Sequence, residues 1–478
     1  MAWRSSQALL QRESSSKIWA RAPLLSRGVT TCNSPPTTTQ DTSDVLLQTK
    51  NGEAIFAGLS TKELIRTLFN LHLVAYEPMV DLSLKVLTSP MMRYALFQVP
   101  VNQVVKRTAY SHFCAGENVE EASRTLQRMW ELGLRGILDY SSEDATDNKS
   151  CDKNLEKFIQ VVQQTNQLPQ GSVSTSCVKI SAICPIQLLE RVSNLLRWQH
   201  MHKEFKLPWK QDVIPFLAAE SPTYHVTSPP DPLTKDEETD LALAHERLSK
   251  LCKTCEQEGL PLLIDAEYSS VQPAIDYIIY VAAAEFNKGS WPLIYGTMQA
   301  YLKDSFSRLQ FAVKGSHERG LSYGVKLVRG AYITRENELA SSLRAPSPIH
   351  SNIDGTHRCY DSCATFMLEQ AANGDGAVVL ATHNMDSGRK AAAKAQELGL
   401  SRRDPRVQFA QLKGMADMLS LSLAHAGFRV SKYLPFGPVP EVIPYLVRRA
   451  EENRGLLGNT VHERQAIRAE LRRRLLQA

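Results

Sequence analysis

The chain has 478 residues, 43% of them hydrophobic and 22% charged, and a formal net charge of +5. That balance belongs to a soluble globular protein long enough for one large domain with extensions, and a charge so small and dispersed excludes nucleic-acid binding through a basic surface. The nine cysteines are scattered and odd in number, which fits reduced thiols rather than a disulfide framework.

In the first forty residues Arg4, Arg12, Lys17, Arg21 and Arg27 stand against a single acid, Glu13, with serines between them. A Ser/Pro/Thr linker follows at 34–39. This resembles an organellar transit peptide and lacks the continuous apolar core of a secretory signal. Residues 1–40 are therefore read as an organellar transit leader with its linker. Residues 41–115 read as mainly helical, with segments at 61–73 and 78–86, and are expected to form an arm packed on the main domain. No window reaches the apolar length that spans a bilayer, so any membrane contact is expected to be peripheral.

From residue 116 to 478 a different pattern sets in, a short apolar run followed by a helical stretch. Strands are expected at 135–140, 174–183, 262–267, 293–299, 324–330, 377–383, 407–412 and 429–435. Helices are expected at 119–132, 186–199, 241–258, 273–286, 303–319, 359–372, 387–398 and 416–425. Residues 204–238, rich in Pro and polar side chains, read as an insertion, and 336–355 as a long loop. The tail from Arg464 to Arg474 reads as a basic surface helix. Eight such units imply parallel strands with crossover helices, closed into a distorted (β/α)8 TIM-type barrel, an open doubly wound sheet being the alternative. No GxGxxG follows a strand and no GxxxxGK[ST] is present, which excludes Rossmann and P-loop nucleotide binding. Cys252 and Cys255 form a lone CxxC inside a helix, so no metal site is expected.

A barrel of this kind places its site at the C-terminal ends of the strands, and those ends are polar. They carry Lys179, Asp265 with Glu267, Gln299, Lys326 with Arg329 and Tyr332, Thr382 with His383 and Asn384, Gln411 with Lys413, and Tyr433. Burying so many polar groups without a ligand would be costly. After the last strand, residues 445–453 read Tyr-Leu-Val-Arg-Arg-Ala-Glu-Glu-Asn. On a helix, Tyr445, Arg448, Arg449, Glu452 and Asn453 share one face. Adjacent arginines offer planar forks suited to a carboxylate or phosphate. The set points to an anionic small substrate, a large polar cofactor, or both.

Leu-Ile-Asp-Ala-Glu, Lys-Leu-Val-Arg-Gly-Ala-Tyr, Ala-Thr-His-Asn, Leu-Lys-Gly-Met and Tyr-x-x-Arg-Arg-x-x-Glu-Asn follow one another in this order. Together they resemble the proline dehydrogenase (proline oxidase) family over roughly residues 116–460, in a plant-like mitochondrial form. The resemblance implies non-covalent FAD and hydride transfer to it from L-proline, giving 1-pyrroline-5-carboxylate. It implies that Lys179, Arg448 and Arg449 hold the substrate carboxylate, with Tyr433, Tyr445 and Leu412 around the ring. It implies a flavin wall of Gln299, Val328, Arg329, Gly330, Ala331, Thr382, His383 and Glu452, and catalytic parts for Asp265 and Lys326. Lys326 stands where bacterial members usually carry Arg, keeping the charge without the fork. A quinone acceptor, and peripheral docking on the matrix side of the inner mitochondrial membrane, are also implied. The competing readings are a hydroxyproline dehydrogenase of the same fold, which Tyr433 would disfavour by crowding a ring hydroxyl, a flavin-free lyase using Lys179 as a Schiff-base amine, and a catalytically dead barrel serving as a binding scaffold.

Overall fold

The computed structural model describes residues 55–73, 76–455 and 457–477, without the side chains of 452–460. The leader and its linker, and the start of the arm up to residue 54, lie outside the described residues. Parallel strands β1 (Arg135–Tyr140), β2 (Val173–Val178), β3 (Leu262–Ile264), β4 (Ile294–Gln299), β5 (Tyr323–Val328), β6 (Gly376–Ala381), β7 (Val407–Leu412) and β8 (Val430–Phe436) pair in sequence order. β8 returns to β1 in register from Arg135↔Ser431 to Tyr140↔Phe436 and closes the barrel. The open-sheet alternative is thereby removed. The interior is filled by side chains such as Ile137, Cys177, Leu263, Tyr295 and Val379, so the barrel is a packed core whose only room lies at its ends.

In the arm, α1 (Thr61–Leu73), α2 (Glu77–Leu87) and α3 (Ala95–Val105) precede the barrel. The barrel helices are α4 (Val119–Glu131), α5 (Asn148–Gln164), α6 (Ile186–Met201), α7 (Lys235–Gln257), α8 (Gln272–Phe286) and α9 (Ser305–Glu318). They continue as α10 (Ile333–Ser342), α11 (Ile353–Asn373), α12 (Met385–Glu397), α13 (Asp417–His425), α14 (Val439–Gly455) and α15 (Leu457–Gln477).

Three differences from the sequence reading have physical causes. Helix α5 was not expected, although Asp147 caps it, its side chain accepting from the backbone N–H of Ser150 at 2.8 Å. Helix α7 begins six residues before the expected 241, at a capping box in which Thr234 and Glu237 satisfy each other's backbone N–H groups. Much of the expected loop at 336–355 is helical, in α10 and the start of α11. Glu336 in α10 is buried and accepts from the backbone and hydroxyl of Ser269 at 2.6 and 2.5 Å. The basic tail is a surface helix, as expected, with one face packed inward. Glu463, Ile467 and Glu470 of α15 are buried at i, i+4 and i+7, and Arg474 donates to the carbonyls of Leu59 and Phe56 at 2.8 and 3.0 Å.

The segment between α6 and α7 has no helix or strand, as its composition predicts. Buried side chains hold it against the barrel helices. Arg308 of α9 donates through Nε to the Phe216 carbonyl at 3.0 Å and through Nη2 to Asp276 of α8 at 2.5 Å. Both members of that ion pair are buried. Arg308→Met leaves the buried Asp276 carboxylate without a cation, with the Gln272 amide at 2.8 Å as its remaining partner. It is expected to lower stability by about 3–5 kcal/mol, read as a shift of the urea unfolding midpoint with unchanged slope.

Candidate active site

At the C-terminal mouth of the barrel lies a cavity of about 700 Å³. Strand-end residues and side chains from α14 line it together, so α14 sits across the mouth.

The floor is a buried charge network. β3 stops after three residues, where Asp265 leaves the ladder. The Asp265 backbone N–H donates to the Val178 carbonyl at 3.0 Å. Its carboxylate is ion-paired with Lys326 of β5 and accepts from the Tyr433 hydroxyl of β8 at 2.8 Å and the Cys177 thiol at 3.1 Å. Burial alone would raise the Asp265 carboxyl, but the Lys326 and Lys179 ammonium groups and these hydrogen bonds hold it well below its usual range. Lys326 also sits over the Tyr433 ring, 5.2 Å from its centroid. Burial, reinforced by the carboxyls of Asp139 and Asp265, pushes the Tyr433 phenol well up, so it remains a donor.

Above that floor is a second cluster. Glu143, in the loop after β1, accepts from both terminal nitrogens of Arg448 at 2.5 and 2.9 Å and stands 3.4 Å from the Lys179 ammonium. Burial opposes ionisation of Glu143, but Lys179 and Arg448 outweigh it and bring its carboxyl down to about 2. Burial likewise opposes charge on Lys179, and the nearby Asp139 and Glu143 override it, holding the amine well above its ordinary value. The Arg449 guanidinium lies 5.2 Å from the centroid of the Tyr445 ring. Glu267, buried beside the cavity, accepts from the Ser181 hydroxyl at 2.6 Å and its backbone N–H at 3.1 Å. Burial dominates there and pushes its carboxyl up to about 7.

The opposite wall is made of donors held in place by other protein groups. Arg329 gives its three nitrogens to His357 Nδ1 at 3.0 Å, Thr382 Oγ1 at 2.7 Å and Ser387 Oγ at 2.8 Å, over the Tyr360 ring at 4.4 Å. The Nε2 of His383 accepts from the Leu412 backbone at 3.1 Å. Burial, with Arg449 nearby, lowers the His383 imidazole to about 3. It is therefore neutral with its proton on Nδ1, a donor at physiological pH. Gly330 has φ +137°, and a Cβ there would meet the Tyr301 ring at 2.5 Å, so only glycine lets the chain pass beneath that ring.

The structure brings Asp265, Lys326, Lys179, Tyr433, Tyr445, Arg448, Arg449, Leu412, Gln299, Val328, Arg329, Gly330, Ala331, Thr382 and His383 onto this one cavity. The side chain of Glu452 lies outside the described residues. Lys413, expected among the strand-end site groups, points elsewhere, its ammonium donating to the carbonyls of Ser111 and His112 in the arm at 3.0 and 2.8 Å. Glu143, Arg335 and His357 also line the cavity and were missed. Glu143 was findable, because it follows β1 as Lys179 follows β2. His357 lies a turn inside α11 and carried no signal. Among the described residues no cluster of His, Cys, Asp and Glu could hold a metal ion.

The family model described as Proline dehydrogenase matches residues 122–462. The chain is 47% identical over 425 residues to "Proline dehydrogenase 1, mitochondrial" of Arabidopsis thaliana, covering 88% of this chain and 85% of that one. It is 31% identical over 425 residues to "Hydroxyproline dehydrogenase" of Bos taurus, covering 87% and 91%. Among solved structures it resembles proline utilization A from Bdellovibrio bacteriovorus inactivated by N-propargylglycine, with TM-score 0.61 and 19% identity. That match covers 90% of this chain but 40% of the bacterial one, and it shows the shared fold.

Glu267 gives a pH prediction. Its folded pKa lies above the unfolded value, so the folded state keeps a proton that the unfolded state releases. Its contribution is favourable at low pH and is lost between about pH 4.5 and 7, with a slope of at most about 1.4 kcal/mol per pH unit. Glu267→Gln should flatten the fall of stability across that window, measured by urea unfolding at several pH values.

Proposed function

The chain belongs to the proline dehydrogenase family, and from that premise we propose that its cavity binds L-proline beside non-covalent FAD and oxidises it to 1-pyrroline-5-carboxylate. The observation that carries this reading is the pair of differently built walls on one cavity, a paired-charge floor and cluster on one side and rigid donors on the other. The volume is more than one amino acid fills. Gln299, Val328, Arg329, Gly330, Ala331, Thr382 and His383 offer fixed hydrogen-bond donors and a glycine passage that fit a flavin and its phosphate-bearing tail, with Glu452 an eighth candidate. When bound, FAD supplies the acceptor for two electrons.

The protein's own groups bind, orient and set charge. Lys179, Arg448 and Arg449 hold the substrate carboxylate. Glu143 already neutralises part of that cation set, and it keeps Lys179 and the Arg448 fork placed before substrate arrives. Tyr433, Tyr445 and Leu412 wall the ring, and the Tyr433 hydroxyl, tied to Asp265, narrows the space for a ring hydroxyl. This supports proline over hydroxyproline. Hydride departure from the ring carbon beside nitrogen requires a neutral amine, whose lone pair drives it. Lys179, Lys326, Arg448 and Arg449 all line the cavity, and cations so placed disfavour an ammonium at that position. The positive charge on Lys326, held by Asp265, favours negative charge developing nearby. The same charge on Lys179 weighs against a Schiff-base lyase, which needs a neutral amine.

The mitochondrial relatives and the basic, acid-poor first forty residues support a mitochondrial address. The matrix side of the inner membrane and a quinone as onward electron acceptor complete the reading.

A visible spectrum of the purified protein, before and after anaerobic L-proline, tests it. Flavin bands that bleach with proline, and far less with hydroxyproline, are expected. Bleaching with hydroxyproline alone would overturn the substrate, and no flavin after reconstitution with FAD would overturn the cofactor. Arg448→Met should raise KM for proline by about 10–100-fold through loss of a charged hydrogen-bonding fork, with FAD retained. Loss of FAD in that variant would move Arg448 to the cofactor.

A further inference from the structure

The N-terminal end of the barrel, opposite the cavity, holds two arginines without a counterion among the described residues. Alternation along β1 and β8 aims both into the barrel. Ile137 and Tyr433 point to the interior, so Arg135, two residues before Ile137, and Arg429, four before Tyr433, point the same way. The ladder continues as far as Arg429, whose carbonyl accepts from the Phe409 backbone at 2.9 Å. Arg135 lies beside Ser431 in the β1–β8 register. Arg135 and Arg429 are therefore diagonal neighbours at the seam where the first and last strands meet. Just inside them a polar layer closes the barrel. Ser174 accepts there from Gln408 and Ser431 at 3.1 and 3.0 Å and donates to the Gly136 carbonyl at 3.0 Å. Tyr295 enters this end from β4, across the barrel, and the Arg429 charge acts on its phenol.

Both arginines are half-buried. Among the described residues neither guanidinium has an ion-pair or hydrogen-bond partner, and the Nε of Arg429 is a buried atom. Burial, with Arg429 and Arg403 nearby, brings Arg135 down to about 10, and burial lowers Arg429 as well. Of the acids at this end, only Asp404 acts on either guanidinium. It is committed elsewhere, with its two oxygens on Arg406 at 3.0 and 2.9 Å. Glu131, the acid nearest to Arg135 in sequence, is exposed and takes Arg128 at 3.0 Å. Two like charges drawn partly out of water without a carboxylate between them destabilise the folded chain, and an anion seated between them reverses the sign. Two planar forks suit a doubly charged tetrahedral oxyanion, which offers a pair of oxygens to each. The polar layer above keeps the occupant small.

We propose that Arg135 and Arg429 form a binding site for an oxyanion of the size and charge of inorganic phosphate, which clamps β1 to β8 at the seam that closes the barrel. The N-terminal end of such a barrel serves stability and not chemistry, so the anion acts on unfolding.

The test is thermal unfolding of the full chain in phosphate against chloride at equal ionic strength, which needs no turnover. Phosphate strengthens burial in any protein, and phosphate on the cavity cations would stabilise every variant alike. The readout is therefore the difference between wild type and R135Q/R429Q. At saturating phosphate the wild type should gain about 2–4 °C in Tm beyond the gain of the double variant. In chloride the double variant should unfold no lower than wild type, because it has lost a repulsion. R135K keeps the charge without the fork, and its half-maximal phosphate concentration should rise by about tenfold. Equal gains in wild type and R135Q/R429Q, or an unchanged midpoint in R135K, would overturn the proposal. So would a double variant that unfolds lower than wild type in chloride or fails to fold, which would make the arginines structural. A larger gain with glycerol phosphate than with phosphate would overturn the free anion as occupant and assign the site to a phosphate ester.

Discussion

A carboxylate buried at the mouth of the barrel cannot stand alone, and much of the site follows from that constraint. Asp265 is placed where β3 ends, between Lys326 of β5 and Tyr433 of β8, residues that only a closed barrel brings together. An unpaired ion in such a position costs several kcal/mol, so each partner requires the others. The same logic recurs one layer above, where Glu143 pairs with Arg448 and Lys179. Two nested ion-pair clusters fix Lys326, Lys179 and Arg448 in place. A mouth lined by these cations suits a small carboxylate ligand.

The wall opposite works by rigidity instead. Arg329 is bonded through all three nitrogens to the protein, and His383 is fixed in one tautomer by the backbone of Leu412. Side chains held this way cannot relax to follow a ligand, so the ligand must fit the positions they hold. On the paired-charge side the positions are set by ion pairs, with Arg448 on a helix laid across the opening.

Much of this was legible in the sequence, because two periodicities carry it. Alternating apolar runs and helices required parallel strands, and parallel strands in eight units lead to a barrel whose functional ends are known in advance. Asp265, Lys326 and Tyr433 could be named from strand ends alone. The reading failed where local and long-range signals part. Lys413 sits at a strand end like the others, yet the carbonyls of Ser111 and His112 draw it to the arm, a contact between segments 300 residues apart that no periodicity reports. His357 enters the cavity from inside a helix, where nothing in the pattern distinguishes it from a surface residue. Helix α5 was missed for a different reason, since its Asp147 cap was present but its apolar residues lie within a polar stretch. The basic tail was read correctly as a surface helix, without its inner face. Glu463, Ile467 and Glu470 recur on one side of α15, and that side is buried.

Helix α14 joins these parts. Tyr445, Arg448 and Arg449 face the cavity, while Val442 and Leu446 face α3 and the arm. The arm therefore does what a crossover helix does elsewhere in the barrel, covering the apolar side of an element whose polar side is committed to the site. Without it α14 would expose that apolar side to water and lose the packing that sets the angle of its arginines over the mouth. The outer surface of α3 is then one helix thickness, about 10 Å, from the helix that carries those arginines.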